Sequence, residues 1–132
     1  MTRILLLEDD EAFAELLAES LMIEGHTVDI FGNATDALEA LKNEKYGIIV
    51  ADVFIKAGGQ YRQDGGIRLV SSVKQIRAEK IPVIAISGGF SASKPSNVKE
   101  TLRTVGANAV LAKPFHPEDL LNLISELTKL GK

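Results

Sequence analysis

The chain has 132 residues, of which 45% are hydrophobic and 25% are charged. This length and composition suit one globular domain and exclude a disordered or collagen-like chain. The net charge of -3 favours neither nucleic acid nor an anionic membrane as a partner. The absence of cysteine excludes disulfides and thiol chemistry. The apolar stretch near the N-terminus is too short for a signal peptide or a membrane span, so we expect a cytoplasmic protein.

Five short apolar runs alternate with amphipathic segments and predict five β-strands. The runs cover residues 4–7, 28–31, 48–51, 83–86 and 109–112. Four of them are continuously apolar, which is typical of strands covered by helices on both faces. The second run alternates polar and apolar residues, so we expect it to lie at an edge of the sheet, exposed on one side.

The first two segments between the strands have the apolar periodicity of helices. The first predicted helix buries a stripe formed by Phe13, Leu16, Leu17 and Leu21. Gly25 can end this helix in the left-handed conformation that side chains resist. Asn33 is a favourable N-cap for the second helix, and Asp36 then lies near the positive end of the helix dipole.

Three more helices follow in the second half of the chain. The third is marked by apolar residues at helical spacing, namely Ile67, Val70, Val73 and Ile76. The fourth begins at Ser96 and ends at Gly106, and the last has Pro117 in its first turn. This (βα)5 order predicts an α/β fold of the flavodoxin-like, three-layer α/β/α type over residues 1–132. We expect a parallel five-stranded sheet in the order 2-1-3-4-5.

Reactive polar residues follow four of the five apolar runs, and they are Glu8, Asp9, Asp10, Asp52, Ser87 and Lys113. Ligands of open parallel sheets bind at the carboxyl ends of the strands. If strands one and three are neighbours, Glu8, Asp9 and Asp52 converge, and crowded carboxylates favour a divalent cation such as Mg²⁺. A lysine, a hydroxyl group and the close backbone approach that Gly88 permits complete a site suited to phosphoryl transfer.

Four motifs resemble the receiver domains of two-component response regulators. They are ILLLEDDE at 4–11, IIVAD at 48–52, PVIAISG at 82–88 and LAKPF at 111–115. The resemblance covers nearly the whole chain. It implies a phosphoacceptor in two-component or phosphorelay signalling, with a histidine kinase or histidine phosphotransfer protein as donor and a downstream protein effector. It also implies a monomer or a phosphorylation-dependent dimer, and not a turnover enzyme.

The resemblance also implies a role for each site residue. Asp52 would be the phosphoacceptor. Mg²⁺ or Mn²⁺ would be bound by Asp52, by Asp9 directly, by Glu8 mainly through water and by the backbone carbonyl of Phe54. The phosphoryl group would be contacted by Ser87, Gly88 and Lys113. Asp10 fits an N-cap better than a metal ligand, because it directly precedes the first predicted helix.

Two features depart from the family pattern. The loop after Asp52, over residues 53–66, is several residues longer than usual and lacks the customary proline. We expect it to overhang the site and to tune access, so that trimming it would change phosphorylation or dephosphorylation rates. Val110 replaces the usual Tyr or Phe three residues before Lys113. The conformational change then runs through Ser87 and the following loop, or the output face differs from the usual one.

Three other functions compete with this interpretation. A haloacid dehalogenase would need a second Asp two residues after the first, where this chain has Phe54. A flavodoxin-like cofactor binder would need a phosphate loop after the first strand, where Glu8, Asp9 and Asp10 would repel a phosphate. A pseudo-receiver, which is a protein-interaction module independent of phosphorylation, is the main alternative.

Overall fold

The computed structural model describes residues 2–53, 69–73, 81–87, 107–112 and 115–130. The strands are β1 (Arg3–Leu7), β2 (Thr27–Phe31), β3 (Ile48–Asp52), β4 (Val83–Ser87) and β5 (Ala109–Ala112). The helices are α1 (Glu11–Ile23), α2 (Ala34–Asn43) and α3 (Pro117–Leu130), and residues 69–73 are also helical. No helix within these ranges is long and apolar enough to cross a membrane.

The five strands form one parallel sheet in the order β2-β1-β3-β4-β5, which confirms the predicted topology. The sheet buries one apolar cluster on each face, because successive side chains of a strand point to opposite faces. The cluster on the α1 and α3 face includes Ile4, Leu6, Ile48, Val50, Ile84 and Ile86. The cluster on the α2 face includes Leu5, Leu7, Ile49, Ala51, Val83 and Ala85. The predicted three-layer architecture is therefore confirmed.

The edge strands differ in burial from the central ones. β1 and β3 are buried along almost their whole length, as their continuous apolar sequences predict. β2 is partly exposed at the edge, as expected. β5 is also continuously apolar, but its four residues are only half-buried. The reason is that β5 is the other edge strand, with a neighbouring strand on one side only.

Helix ends follow the predicted capping chemistry. The Asn33 side chain accepts a hydrogen bond from the Asp36 amide at 2.8 Å, and it caps α2. Gly25 follows α1 with a φ of 93°, the left-handed conformation expected there. The predicted third helix is described only over residues 69–73, and the predicted fourth helix lies outside the described residues.

The prediction for the buried face of α1 was wrong at Leu16, whose exposed fraction is 64%. The helix instead buries Ala14, Leu17, Ala18 and Leu21 against the sheet. Leu17 is only 3% exposed, although it is the next residue along the chain. Leu16 lies 100° from Leu17 around the helix, so the sheet covers one of the two and not the other.

A cluster of charged and aromatic side chains links elements in the first half of the chain. It lies apart from the strand ends that carry Glu8 and Asp52. This Arg3 cluster consists of Arg3, Asp29, Glu44 and Tyr46. The Arg3 guanidinium donates to Asp29 at 2.8 Å and to Glu44 at 2.9 Å, and it lies 4.8 Å from the centroid of the Tyr46 ring. The Tyr46 hydroxyl donates to Asp29 at 2.6 Å. The cluster therefore connects β1, β2 and the segment that precedes β3.

Hydrogen bonding and burial shift the pKa values of two groups in the Arg3 cluster. The hydrogen bond from Tyr46, assisted by Arg3, holds the pKa of the Asp29 carboxyl below its usual range. Burial, together with the hydrogen bond to Asp29, raises the pKa of Tyr46 to about 12. Both shifts favour the pair as it stands at neutral pH, an ionised carboxylate and a protonated phenol.

Candidate functional site

Three carboxylates converge where β1 and β3 end. Glu8 and Asp9 directly follow β1, and Asp52 is the last residue of β3. Each offers one oxygen, and these oxygens lie within 4.8 Å of one another. Glu8 and Asp52 are buried, with exposed fractions of 4% and 8%, while Asp9 is exposed. The predicted convergence is confirmed, and we call these three residues the acidic cluster.

Backbone hydrogen bonds hold both strand ends in place. The Glu8 amide donates to the Phe31 carbonyl at 2.9 Å, which extends the pairing of β1 with β2. The Val53 amide donates to the Ile86 carbonyl at 2.6 Å, which extends the pairing of β3 with β4. The backbone of Asp52 is therefore held against β4, where Asp52 pairs with Ile86.

Asp10 is an N-cap, as predicted. Its carboxylate accepts a hydrogen bond from the Phe13 amide at 3.2 Å in the first turn of α1. Its own amide donates to a carboxylate oxygen of Glu8 at 3.3 Å. Asp10 thus links the start of α1 to one member of the acidic cluster.

An aromatic pair beside the site was not predicted from the sequence. The rings of Phe13 and Phe115 meet edge to face, with centroids 6.1 Å apart and planes at 80°. Phe13 belongs to the first turn of α1, and Phe115 lies just before α3. The only sequence signals were an apolar residue in the first turn of α1 and the Phe of LAKPF, and neither identifies its partner.

The other predicted site residues are described in part or not at all. The backbone of Ser87 ends β4 and aligns with Ala112 on β5. Outside the described residues lie Phe54, Gly88, Lys113 and Pro114. The prediction for the enlarged loop over residues 53–66 also falls outside them from residue 54 onward. The roles implied for Ser87, Phe54, Gly88 and Lys113 therefore stay predictions.

Val110 lies in the middle part of β5, where it aligns with Ala85 of β4. Its side chain is half-buried and packs against the apolar cluster on the α2 face of the sheet. A valine has a short, branched side chain with few rotamers, so it cannot swing between a buried and an exposed position as an aromatic ring can.

The arrangement of the acidic cluster suits a hard cation. Carboxylate oxygens are the ligands that Mg²⁺ prefers, and one or two of them commonly bind it together with phosphate oxygens. Three negative charges this close repel one another, and a divalent ion relieves that repulsion. An Asp carboxylate is also a known covalent acceptor of phosphoryl groups.

Comparison with known proteins gives the family. Residues 4–125 match the response regulator receiver domain. The chain is 30% identical to the response regulator receiver protein CpdR of Brucella abortus, over 96% of this chain and 97% of that protein. This chain belongs to the response regulator receiver domain family. Receiver domains are phosphoacceptors of two-component signalling and not turnover enzymes, and this assignment does not favour a pseudo-receiver.

Another curated relative agrees with this assignment, and a solved structure has the same fold. The chain is 29% identical to the response regulator MprA of Mycobacterium ulcerans, over 98% of this chain and 51% of that protein. It spans from about a quarter to about half of the length of several curated relatives that it matches. The receiver domain of the Francisella response regulator 1452 has the same fold, with a TM-score of 0.84, 22% identity and complete coverage of both chains.

Receiver domains generally bind Mg²⁺ at an acidic cluster, and they interact with histidine kinases and downstream effectors. The acidic cluster of this chain lies where β1 and β3 end, and its three carboxylates provide oxygen ligands of the kind that such an ion prefers.

Proposed function

We propose that Asp52 of this receiver domain accepts a phosphoryl group from a histidine kinase or a histidine phosphotransfer protein. The observation that carries the proposal is the convergence of Glu8, Asp9 and Asp52 within 4.8 Å. In the reaction, a carboxylate oxygen of Asp52 forms a bond to phosphorus, and the bond between phosphorus and the donor histidine nitrogen breaks. The electron pair of that bond stays on the histidine ring.

The proposed reaction depends on Mg²⁺, or on Mn²⁺, bound to the acidic cluster. Asp9 and Asp52 would bind the ion directly, Glu8 mainly through water, and Phe54 through its backbone carbonyl. When bound, the ion neutralises charge on the phosphoryl oxygens and on the carboxylates. The convergence of the three carboxylates at the ends of β1 and β3 supports this metal site.

The remaining site residues would act on the transferred group. Lys113 would pair with its charge, and Ser87 and Gly88 would donate hydrogen bonds to its oxygens. Because position 54 is Phe rather than Asp, the chain has no general base there for rapid hydrolysis. The phospho-aspartate would then persist long enough to act as a signal.

The response would be a change of shape that alters binding to a downstream protein, or that drives dimerisation of a monomer. Residues 1–132 would form the receiver domain. The fixed, half-buried Val110 supports a route other than the rotation of an aromatic ring in β5. That route would begin at Ser87 and the loop after it, or it would use a different output face.

Intact-mass measurement after incubation with Mg²⁺ and acetyl phosphate tests this function. We expect one phosphoryl adduct on the chain, and none in Asp52→Asn or in EDTA. Asp36→Asn is the matched control, because it makes the same chemical change at an exposed position on α2 and should leave the adduct intact. An adduct that persists in Asp52→Asn would place the acceptor elsewhere, and no adduct with any small donor would favour a pseudo-receiver.

A further inference from the structure

We propose that Phe13 and Phe115 are positioning residues, which hold the turn of Glu8, Asp9 and Asp10 in the geometry that binds the metal ion. The inference rests on the proposed function, because it concerns the ion at the acidic cluster. Neither of these apolar side chains would contact the ion, but both would affect the affinity of the acidic cluster for it.

The first step is the position of the aromatic pair. Phe13 and Phe115 are far apart in the sequence, yet their rings meet edge to face at 6.1 Å. Both side chains are half-buried and pack against the apolar cluster on the α1 and α3 face. The pair therefore fixes the first turn of α1 against the segment that precedes α3.

The second step is a chain of hydrogen bonds from Phe13 to the acidic cluster. The Phe13 amide donates to the Asp10 carboxylate at 3.2 Å, and the Asp10 amide donates to the Glu8 carboxylate at 3.3 Å. A displacement of Phe13 would therefore move the cap, and the cap would move the Glu8 carboxylate. Asp9 lies between the two linked residues and would move with them.

The third step is the sensitivity of a metal site to such displacements. Groups that orient the ligands of a metal without touching it commonly change its affinity by ten- to a hundredfold when they are mutated. Glu8 is buried, so its carboxylate has little room to readjust by rotation. We therefore expect loss of the Phe115 ring to weaken metal binding roughly tenfold.

The test is Mn²⁺ binding to the full chain, measured by electron paramagnetic resonance of the free ion, with Mg²⁺ as competitor. Phe115→Ala and Phe13→Ala should raise both dissociation constants roughly tenfold. Phe115→Tyr keeps the ring and should bind within about twofold of the original chain, a change too small to indicate a lost orienting contact. If the alanine variants fail to fold, Phe115→Leu keeps an apolar side chain without the ring and should still bind more weakly.

The matched control is Leu127→Ala on α3. Leu127 is also half-buried and packs against the same apolar cluster, but it lies three turns along α3 from Phe115. Thermal unfolding without metal should show that Leu127→Ala and Phe115→Ala both lower stability, while only Phe115→Ala weakens metal binding. A merely structural role for the pair would leave the two dissociation constants alike, and that result would overturn the proposal.

Amide NMR spectra provide a second readout that needs no metal. The amide residual dipolar couplings of residues 9 and 10, which report bond orientation and not the lost ring current, should change in Phe115→Leu and stay unchanged in Leu127→Ala. If the original chain binds neither ion, the metal part of the proposed function fails, and the positioning role fails with it. If the chain binds metal and the Phe115 variants bind it equally well, only the positioning role fails.

Discussion

Carboxylate side chains have opposite surroundings in two regions of this fold. In the Arg3 cluster, the carboxylates of Asp29 and Glu44 each lie within 3 Å of a guanidinium nitrogen of Arg3. In the acidic cluster, Glu8, Asp9 and Asp52 place three carboxylate oxygens within 4.8 Å of one another. One region pairs opposite charges from its own chain, and the other concentrates like charges.

This difference separates a structural network from a binding site. Arg3 and Tyr46 both donate hydrogen bonds to Asp29, so this carboxylate has its partners within the chain. The acidic cluster brings like charges together in a partly buried place, and this arrangement is favourable only when positive charge balances it. The free energy of unfolding should therefore depend on bound metal at the acidic cluster and on hydrogen bonding at the Arg3 cluster.

The largest expected effect is stabilisation by Mg²⁺. An ion that binds only the folded chain adds about 2.7 kcal/mol to the free energy of unfolding at a hundred times its Kd. Urea unfolding with and without Mg²⁺ measures this increment. Asp9→Asn should lose most of it, because it removes a charged ligand. Tyr46→Phe should keep the whole Mg²⁺ increment. If Asp9→Asn also kept the whole increment, Asp9 would not be a ligand of the ion.

The second effect comes from removing one polar group from each region. Tyr46→Phe should lower the free energy of unfolding by about 1 kcal/mol, the usual contribution of one hydrogen bond. Asp52→Asn, measured without divalent metal, should leave the free energy unchanged or raise it, because it reduces repulsion with Glu8 and Asp9. Urea unfolding in EDTA compares the two. A marked loss of stability in Asp52→Asn would show that its charge is structural.

The sequence predicts the sheet and the acidic cluster for the same reason. Strands buried on both faces must be apolar along their length, so β1, β3 and β4 are visible as continuous runs, and the residues that end them share one edge. The positions of Glu8, Asp9 and Asp52 then follow from the strand order alone. Apolar spacing predicts the buried face of α1 less exactly than continuous apolar runs predict the strands. It does not show that the sheet covers Leu17 and leaves Leu16 exposed.

Contacts between distant segments could not be predicted in this way. Arg3 reaches Asp29 because β1 and β2 pair with Arg3 beside Thr27, a register that no motif encodes. Phe13 meets Phe115 only because α1 and the start of α3 lie on the same face of the sheet. Each contact depends on three-dimensional placement, while the acidic cluster depends only on which strands are neighbours.

The effect that needs the most alkaline pH, and that is most specific to the Arg3 cluster, is the titration of Tyr46. Its pKa is raised to about 12 in the folded chain, mainly by burial and then by the hydrogen bond to Asp29. An unfolded tyrosine has a pKa of about 10. Because the folded value is the higher one, this stabilisation is complete below pH 10 and is lost as the pH rises toward 12.

Tyrosinate absorbance in Tyr61→Phe, which leaves Tyr46 as the only tyrosine, measures that pKa directly. Asp29→Asn in the same background removes the carboxylate that accepts the hydrogen bond, so the pKa should fall toward 10 while burial keeps it above that value. Asp52→Asn should not change the pKa, because the acidic cluster lies at the other end of the strands. A shift of the Tyr46 pKa in Asp52→Asn would show that the two regions are coupled through the sheet. The charge on Asp52 would then affect the electrostatics of the Arg3 cluster.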